Sequence, residues 1–211
     1  MFIHHLPQII STLNFEQLNQ IQEQTIQAYN MHDNVQLIAP TGSGKTVAFL
    51  LASLQHIKEK EGVQVLILAP TRELVLQIES VAKEMKLPFK TNACYGGHPF
   101  SVERKNFSNP PTLLIGTPGR IEDHLNRETF NPDHINHVIF DEFDKSLEFG
   151  FSKQMEGIMS HLRQVQRIIL VSATNSIDIP DYIPFDNAKV IESTEKVESR
   201  LTLKKHVVKK D

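Results

Sequence analysis

The amino-acid sequence predicts an α/β fold with a mostly parallel sheet and helices on both of its faces. Short apolar, β-branched runs recur at wide intervals, and most are continuous rather than alternating, as in strands whose two faces are both covered. Segments with helical spacing lie between these runs, which indicates a parallel sheet joined by right-handed crossovers. The predicted strands are Val35–Ala39, Val63–Ala69, Thr91–Tyr95, Leu113–Gly116, His137–Phe140, Ile168–Val171 and Ala188–Ile191.

The clearest predicted helix follows the second strand. Charged and polar side chains lie off its apolar stripe, which gives the spacing of a helix packed on one side against a sheet. The stripe consists of Leu74, Ile78, Val81 or Ala82, and Met85. In parallel sheets ligands bind beyond the carboxyl ends of the strands, and every motif discussed below falls at such an end.

Composition sets limits on the class of protein. The chain has 211 residues, 40% of them hydrophobic and 22% charged, which suits one large α/β domain with a tail or two small domains. Its formal net charge of -3 argues against binding a nucleic acid by bulk charge, so any such binding must use local groups. The sequence offers neither a signal peptide nor an apolar run long enough to span a membrane.

Cysteine and histidine usage points to a domain without disulfides or a metal-ligand motif. The lone cysteine, Cys94, cannot form an internal disulfide and suits a reducing compartment, so we expect a cytoplasmic protein. We also expect a monomer. The ten histidines are scattered without metal-ligand spacing. Residues 193–211 are charged and are predicted to be a final strand or the start of an interdomain linker; a solvated tail is favoured over a nucleic-acid-binding arm.

A glycine-rich turn links the first predicted strand to a helix. Its residues are Ala39, Pro40, Thr41, Gly42, Ser43, Gly44, Lys45 and Thr46. This is close to the phosphate-loop pattern G-x-x-x-x-G-K-[ST], with Ala39 in place of the first glycine. Backbone N–H groups at such a helix start attract an anion. We expect Lys45 to reach the β- and γ-phosphates and the Thr46 hydroxyl to hold Mg²⁺. The alternative is a glycine–serine turn that precedes a lysine by chance.

Adjacent carboxylates end another predicted buried strand. Asp141 is a candidate magnesium ligand, directly or through water, because Mg²⁺ prefers hard oxygen ligands and retains several waters. Glu142 could polarise the water that attacks the γ-phosphate. Acids at a strand end are more often caps or solvated turns. The preceding phosphate loop favours the functional interpretation.

With these residues in order, the chain resembles the first RecA-like domain of the DEAD-box RNA helicases over nearly all of its length. The family's motifs appear in the family's order: Ala39–Thr46, Pro70-Thr71-Arg72-Glu73-Leu74 with Gln77, Gly96-Gly97, Thr117-Pro118-Gly119-Arg120, Asp141–Asp144, and Ser172-Ala173-Thr174. The resemblance implies a RecA-like P-loop fold over residues 1–192, with ATP and Mg²⁺ as cofactors. It also implies an RNA-dependent ATPase that unwinds or remodels RNA, in which Lys45, Asp141 and Glu142 are catalytic.

The resemblance further implies contacts with the RNA backbone and a link between the two sites. Thr71 and Thr117 have a plainer interpretation as helix caps, and Gly96-Gly97 as a tight turn. The implied coupling is a hydrogen-bond bridge to Asp144 from the strand end that holds Ser172 and Thr174. The implied RNA-binding residues are Thr71, Arg72, Gly97, Thr117, Gly119 and Arg120.

The chain departs from the family pattern at two places. Phe143 replaces the alanine of Asp-Glu-Ala-Asp, so we expect activity to survive with local repacking near residues 172–174. In the adenine-recognition motif, Phe15 would stack on adenine and Gln22 would bond its edge, because an amide offers both donor and acceptor. Leu18 and Asn19 replace the family's Pro-Thr. Phe15 is alternatively an apolar anchor for the first helix.

The family's second RecA-like domain, with its arginine fingers, does not follow within 211 residues. We therefore expect a fragment that binds nucleotide weakly and hydrolyses it negligibly. A nucleotide- or RNA-binding adaptor without turnover is the main alternative, and Glu142 disfavours it because an adaptor needs no general base. A RecA-like motor acting on DNA is a third possibility, disfavoured by Thr117-Pro118-Gly119-Arg120 and by the phenylalanine–glutamine pair.

Overall fold

A computed structural model describes residues 6–13, 17–58, 62–97, 99–175 and 177–192. Its centre is a seven-stranded sheet with strand order β3-β4-β2-β5-β6-β1-β7, in which every paired neighbour runs parallel. The strands are β1 Asn34–Ile38, β2 Val65–Leu68, β3 Thr91–Cys94, β4 Leu113–Gly116, β5 His137–Phe140, β6 Arg167–Ser172 and β7 Lys189–Glu192. The predicted fold class and all seven predicted strands are confirmed.

Helices cover both faces of this sheet, as predicted. They are α1 Leu6–Thr12, α2 Gln20–Met31, α3 Lys45–Leu54, α4 Arg72–Glu84, α5 Phe100–Asn106, α6 Pro118–Asn126, α7 Phe143–Glu148 and α8 Ser152–His161. None of the helices in the described ranges is long and apolar enough to cross a membrane. The charged tail, residues 193–211, for which a final strand or a linker was predicted, lies outside the described residues.

Two hydrophobic clusters, one on each face, explain why the strands read as continuous apolar runs. Along β2, Val65 and Ile67 belong to the cluster under α2, α3 and α4, whereas Leu66 and Leu68 belong to the cluster under α6 and α8. All four side chains are at most 1% exposed. Successive residues of a strand point to opposite faces. A strand that is covered on both faces is therefore apolar at every position.

The predicted apolar stripe of α4 is nearly correct. Ile78, Ala82 and Met85 are buried as expected, but Val75 is buried where the stripe named Leu74, which is only half-buried against the core. Thr71 caps the helix by accepting a hydrogen bond from the backbone N–H of Leu74 (3.2 Å). That cap fixes where the helix leaves β2, and so sets which of its faces meets the sheet.

Backbone hydrogen bonds continue the sheet by one residue past the strand ends. The N–H of Ala39 donates to the carbonyl of Ser172 (3.1 Å), and the N–H of Asp141 donates to the carbonyl of Leu68 (2.8 Å). The loops after β1, β6, β5 and β2 therefore begin side by side at one edge. The strand order places β2 at the boundary, so the loops after β2, β4 and β3 form the other half of the same edge.

Phe143, the departure from the family's alanine, is a core residue. It is fully buried in the cluster under α6 and α8, and its ring meets that of Phe140 edge-on, with centroids 5.5 Å apart. An alanine here would leave a cavity that the close-packed core cannot close. The repacking expected near residues 172–174 stays a prediction.

Phe143→Ala is accordingly expected to lower the free energy of unfolding by about 3–5 kcal/mol, the usual effect of removing a buried phenylalanine. Urea unfolding of the two proteins measures this difference. Phe149→Ala is the matched control, because Phe149 is 56% exposed and its removal should change stability by less than about 1 kcal/mol. A wild-type unfolding midpoint in the Phe143 variant would show that the site collapses without a cavity.

Candidate functional site

The glycine-rich turn forms the entrance to α3. Gly42 and Gly44 both have a φ of 86°, in the left-handed region that favours glycine, and Gly44 is the N-cap of the helix. Lys45 is the first helical residue and is 8% exposed. Such a turn directs backbone N–H groups and the positive end of a helix dipole into one concavity, which is an anion-binding arrangement.

The start of α2 closes over this turn. The Asn19 side-chain amide donates to the carbonyl of Ser43 (2.9 Å), and that of Gln22 makes a longer contact with the carbonyl of Gly44 (3.5 Å). A Cβ at Gly44 would lie 2.7 Å from the Gln22 amide nitrogen, the end of a flexible side chain that could shift, so it is the positive φ that favours glycine there. The departure from Thr to Asn at position 19 thus supplies a donor to the loop.

Gln22 is occupied by contacts within the protein. It is 3% exposed, and it forms a capping box in which its Oε1 accepts from the N–H of Asn19 while its own N–H donates to Asn19 Oδ1, both at 3.0 Å. A capping box satisfies two backbone donors at a helix start. Phe15 lies outside the described residues. The adenine-binding roles of Phe15 and Gln22 stay predictions.

Asp141 stands alone among the acids of the site in being wholly buried. Its Oδ1 accepts from the N–H of Glu142 (3.0 Å), and its Oδ2 is buried with no hydrogen-bond partner among the described residues. Burial raises the pKa of Asp141 to about 6, while the positive charge of Lys45 opposes that rise. Lys45 and Asp141 therefore act on each other across β6, whose two neighbours lie about 10 Å apart.

Asp141→Asn is expected to raise the free energy of unfolding at pH 7 by about 3 kcal/mol. The carboxyl has a folded-state pKa of about 6 against an ordinary 3.8, so the unfolded chain loses the proton first and the wild type loses stability as the pH rises between those values. The gain should shrink as the pH falls and approach zero below about pH 3, where both states are protonated.

Urea unfolding at several pH values measures the effect. Asp181→Asn, at an exposed carboxyl, removes the same charge and should leave stability nearly unchanged at each pH. An increase in the free energy of unfolding of the Asp141 variant that did not vary with pH would refute the raised pKa of Asp141. The increase would then come from a difference in packing.

Glu142 follows with an unusual backbone. Its φ of 47° and ψ of 52° place a non-glycine residue in the left-handed region at the N-cap of α7, a conformation that costs about 1–2 kcal/mol. The turn separates the two neighbouring carboxylates, so that Asp141 is buried while Glu142 is partly exposed. Two adjacent acids thus receive different environments.

The predicted link to Asp144 is present, with a different donor from the one expected. The backbone N–H of Ala173 donates to Asp144 Oδ2 (3.2 Å), whereas the Ser172 hydroxyl donates to the carbonyl of Thr174 (2.7 Å). The hydroxyl bond shapes the turn after β6, and that turn presents the amide of Ala173. The coupling roles of Ser172 and Thr174 stay predictions.

On the other half of the edge, the turn after β3 meets the start of α4. Gly97 has a φ of 95°, so the predicted tight turn is present. The Arg72 guanidinium lies 5.0 Å from the ring centroid of Tyr95, and Arg72 Nη1 would be 3.8 Å from a Cβ at Gly97. An exposed cation, an aromatic ring and an open glycine turn therefore share one surface.

The start of α6 completes this surface. Thr117 and Pro118 occupy the N-cap and first helical positions, as predicted, but the Thr117 hydroxyl makes no capping bond. Gly119 is exposed, with open space where a Cβ would stand. Arg120 is only 14% exposed and is paired with Glu103. Sequence reasoning missed Glu103, because a glutamate between motifs carries no signal until its partner is known.

Comparison with known proteins agrees with this geometry. Residues 19–181 match a sequence model described as DEAD/DEAH box helicase. The chain is 36% identical over 168 residues to a protein of Listeria monocytogenes named ATP-dependent RNA helicase CshA, covering 78% of this chain and 32% of that protein. It is 35% identical over 168 residues to the ATP-dependent RNA helicase eIF4A of Aspergillus oryzae, covering 78% and 40%.

Solved structures give the same result. A crystal structure of a hypothetical ATP-dependent RNA helicase from Sulfolobus tokodaii superposes with a TM-score of 0.78 at 29% identity, over 90% of this chain and 57% of that one. A DEAD box protein from Methanococcus jannaschii superposes with a TM-score of 0.77 at 32% identity, over 88% and 52%. The matched region spans only 32% and 40% of the lengths of the two curated relatives named above.

Proposed function

Because the chain belongs to the DEAD/DEAH box helicase family, we propose that it is the ATP-binding and RNA-backbone-binding domain of an RNA-dependent ATPase that unwinds or remodels RNA. The observation that carries this proposal is the convergence of Lys45 and Asp141 at one edge of the sheet, close enough for the charge of Lys45 to oppose the rise in the pKa of Asp141. A triphosphate with its metal fits between two such groups.

The turn and α3 would hold the phosphates. Backbone N–H groups from residues 41–46 would cradle the β-phosphate, and the Lys45 ammonium would pair with the β- and γ-phosphates. Entry of the phosphates would displace the contacts that Asn19 and Gln22 make with the carbonyls of the turn. The amide of Gln22, once released, would be available to the adenine edge.

The donor set fits a magnesium ion. The Asp141 Oδ2 and the Ser43 hydroxyl are both buried polar atoms with no hydrogen-bond partner among the described residues. Oxygen donors of this kind suit a hard divalent cation, which would also favour the ionised form of Asp141. Thr46 and Asp141 would hold it, partly through water. When bound, the ion would neutralise charge on the phosphate oxygens.

Glu142 would act as the general base. It lies in a partly exposed position, beside the buried acid that would hold the metal. At the left-handed turn Asp141 is buried and Glu142 is partly exposed, so each carboxylate would have its own task. Glu142 would accept the proton of the attacking water as the γ-phosphate is transferred.

The half of the edge formed by β2, β4 and β3 would grip the RNA backbone. Thr71, Arg72, Gly97, Thr117, Gly119 and Arg120 offer hydroxyls, guanidinium groups, backbone N–H groups and a helix start. None of these groups reads bases, so binding would not depend on sequence. The amide of Ala173 bonded to Asp144 would carry the state of the nucleotide site along the edge.

The second RecA-like domain of the parent protein would close on ATP and RNA together and supply the arginine finger. Such a residue raises the rate of related NTPases by about 10³–10⁵. The chain by itself would therefore hydrolyse ATP negligibly. A nucleotide- or RNA-binding adaptor without turnover is the second candidate function, and Glu142 disfavours it, because an adaptor needs no general base.

The test is the ATPase rate of the full-length gene product with and without single-stranded RNA, and with DNA of the same sequence. Stimulation by RNA but not DNA supports the proposal. A protein that binds ATP and RNA without turnover would be the adaptor, and equal stimulation by DNA would identify a DNA motor. For the 211-residue chain alone, fast RNA-stimulated turnover would contradict the proposed need for a second domain.

A further inference from the structure

A buried network of charged and aromatic side chains joins α5 to α6, behind the proposed RNA-binding surface. Glu103, 5% exposed, projects from α5 towards α6. Its Oε2 accepts a hydrogen bond from Arg120 Nε (2.6 Å) and another from His124 Nε2 (2.8 Å). A carboxylate oxygen only accepts, so the proton of the imidazole lies on Nε2. One carboxylate therefore ties two residues of α6 together.

Aromatic rings fix the same two residues from the sides. Phe100 stacks on the His124 ring with centroids 4.6 Å apart and planes at 21°, and the Arg120 guanidinium lies 5.2 Å from the Phe100 centroid. Phe107 meets the other side of His124 edge-on, at 5.0 Å. The imidazole has almost no freedom to rotate. The guanidinium is held by a charged bond in one direction and by a ring in another.

The charges in this network are balanced without a metal. Burial acts to raise the pKa of Glu103, but the hydrogen bonds from His124 and Arg120 outweigh it and hold that pKa below its usual value. Cys94, Glu103 and His124 do offer ligand atoms within 4.8 Å of one another, as a zinc site would. The guanidinium of Arg120 already supplies the positive charge at the shared carboxylate oxygen, so the network is an ion-paired brace.

We propose that Glu103 and His124 are positioning residues for RNA binding, which hold the Arg120 guanidinium in place at the start of α6. The inference rests on the proposed function, in which Arg120 contacts an RNA phosphate. A flexible arginine loses rotamer freedom on binding, and a braced one has lost it already. Orientation also matters more for arginine than for lysine, because its donors form a planar fork.

A positioning role for Glu103 and the change in net charge predict opposite changes in RNA affinity for Glu103→Gln. The substitution removes a negative charge and changes the formal net charge from -3 to -2, which by itself strengthens binding to a polyanion. The brace predicts weaker binding, because the guanidinium loses its shorter charged contact and keeps only the one with Asp123, at 3.7 Å. Glu84→Gln is the matched control: it removes the same charge at an exposed position late in α4 and should leave RNA affinity unchanged or slightly tighter.

The experiment is fluorescence anisotropy of a labelled single-stranded RNA with the 211-residue chain at low salt. Arg120→Gln should weaken binding about tenfold, and Glu103→Gln at least about threefold. The double variant should bind no worse than Arg120→Gln alone, because Glu103 acts only through Arg120. His124→Phe keeps the aromatic stack and removes the donor to Glu103, so it should weaken binding in the same direction.

The double variant separates positioning from folding. If Glu103→Gln merely loosened the fold, its loss of RNA affinity would persist in the Arg120→Gln background, and that result would overturn the proposal. Unchanged or tighter binding by Glu103→Gln, with Arg120→Gln weakened, would overturn the brace and leave the RNA role of Arg120 standing. If neither Arg120→Gln nor Arg72→Gln weakens binding, the proposed RNA surface itself is wrong.

Discussion

Lys45→Ala is expected to weaken the binding of ATP by the 211-residue chain at least about 30-fold. Lys45 is 8% exposed at the start of α3, so its contact with phosphate forms away from water. Removing one partner of a charged contact in such a place costs about 2–5 kcal/mol. Isothermal titration calorimetry with a non-hydrolysable ATP analogue and Mg²⁺ measures the loss.

Lys83→Ala is the control for this experiment. It also removes one positive charge, from a side chain 65% exposed on α4, and ATP affinity should be unchanged. A second readout follows from the charge of Lys45, which opposes the rise in the pKa of Asp141. In Lys45→Ala the pKa of Asp141 should therefore rise further. If Lys45→Ala bound ATP with wild-type affinity, the proposal that this loop holds the phosphates would be wrong.

Glu142→Gln is expected to reduce turnover by about 10²–10⁴ in the full-length protein while ATP and RNA still bind. Glutamine keeps the size of the side chain and one acceptor but cannot take a proton from water. The left-handed backbone at position 142 is tolerated about equally by both residues, so the fold of the turn should not change. Steady-state ATPase and separate binding titrations measure the two effects.

Glu148→Gln is the matched control. Glu148 lies at the far end of the same short helix, with its side chain 59% exposed, and its replacement should leave turnover unchanged. Normal turnover in Glu142→Gln would refute the assignment of the general base. Loss of ATP binding together with turnover would instead place Glu142 among the groups that hold the nucleotide.

The strands were predictable from the sequence because burial on both faces leaves a simple signature. Val65 to Leu68 are apolar without interruption, and a run this short between turn residues fits a strand that is buried on both faces. The turn at Gly44 and the cap at Thr71 were predictable for a similar reason, since each depends on residues close in the chain. Local sequence determines local backbone where only one or two residue types fit.

Contacts between distant segments could not be predicted in this way. Gln22 was expected to face adenine, and nothing in its pattern shows that its amide contacts the loop at Gly44. Arg120 was expected to present its guanidinium to RNA, and its pairing with Glu103 depends on how α5 packs against α6. The donor to Asp144 proved to be a backbone amide, a group that every residue except proline carries.

The lone thiol of this protein has a practical consequence. Cys94 ends β3, is 2% exposed, and its pKa is raised to about 12 by burial and by the nearby charge of Glu103. It can react with an alkylating reagent only when that half of the domain opens, because the reactive species is an accessible thiolate. The labelling rate therefore reports the free energy of local opening, without any engineered probe.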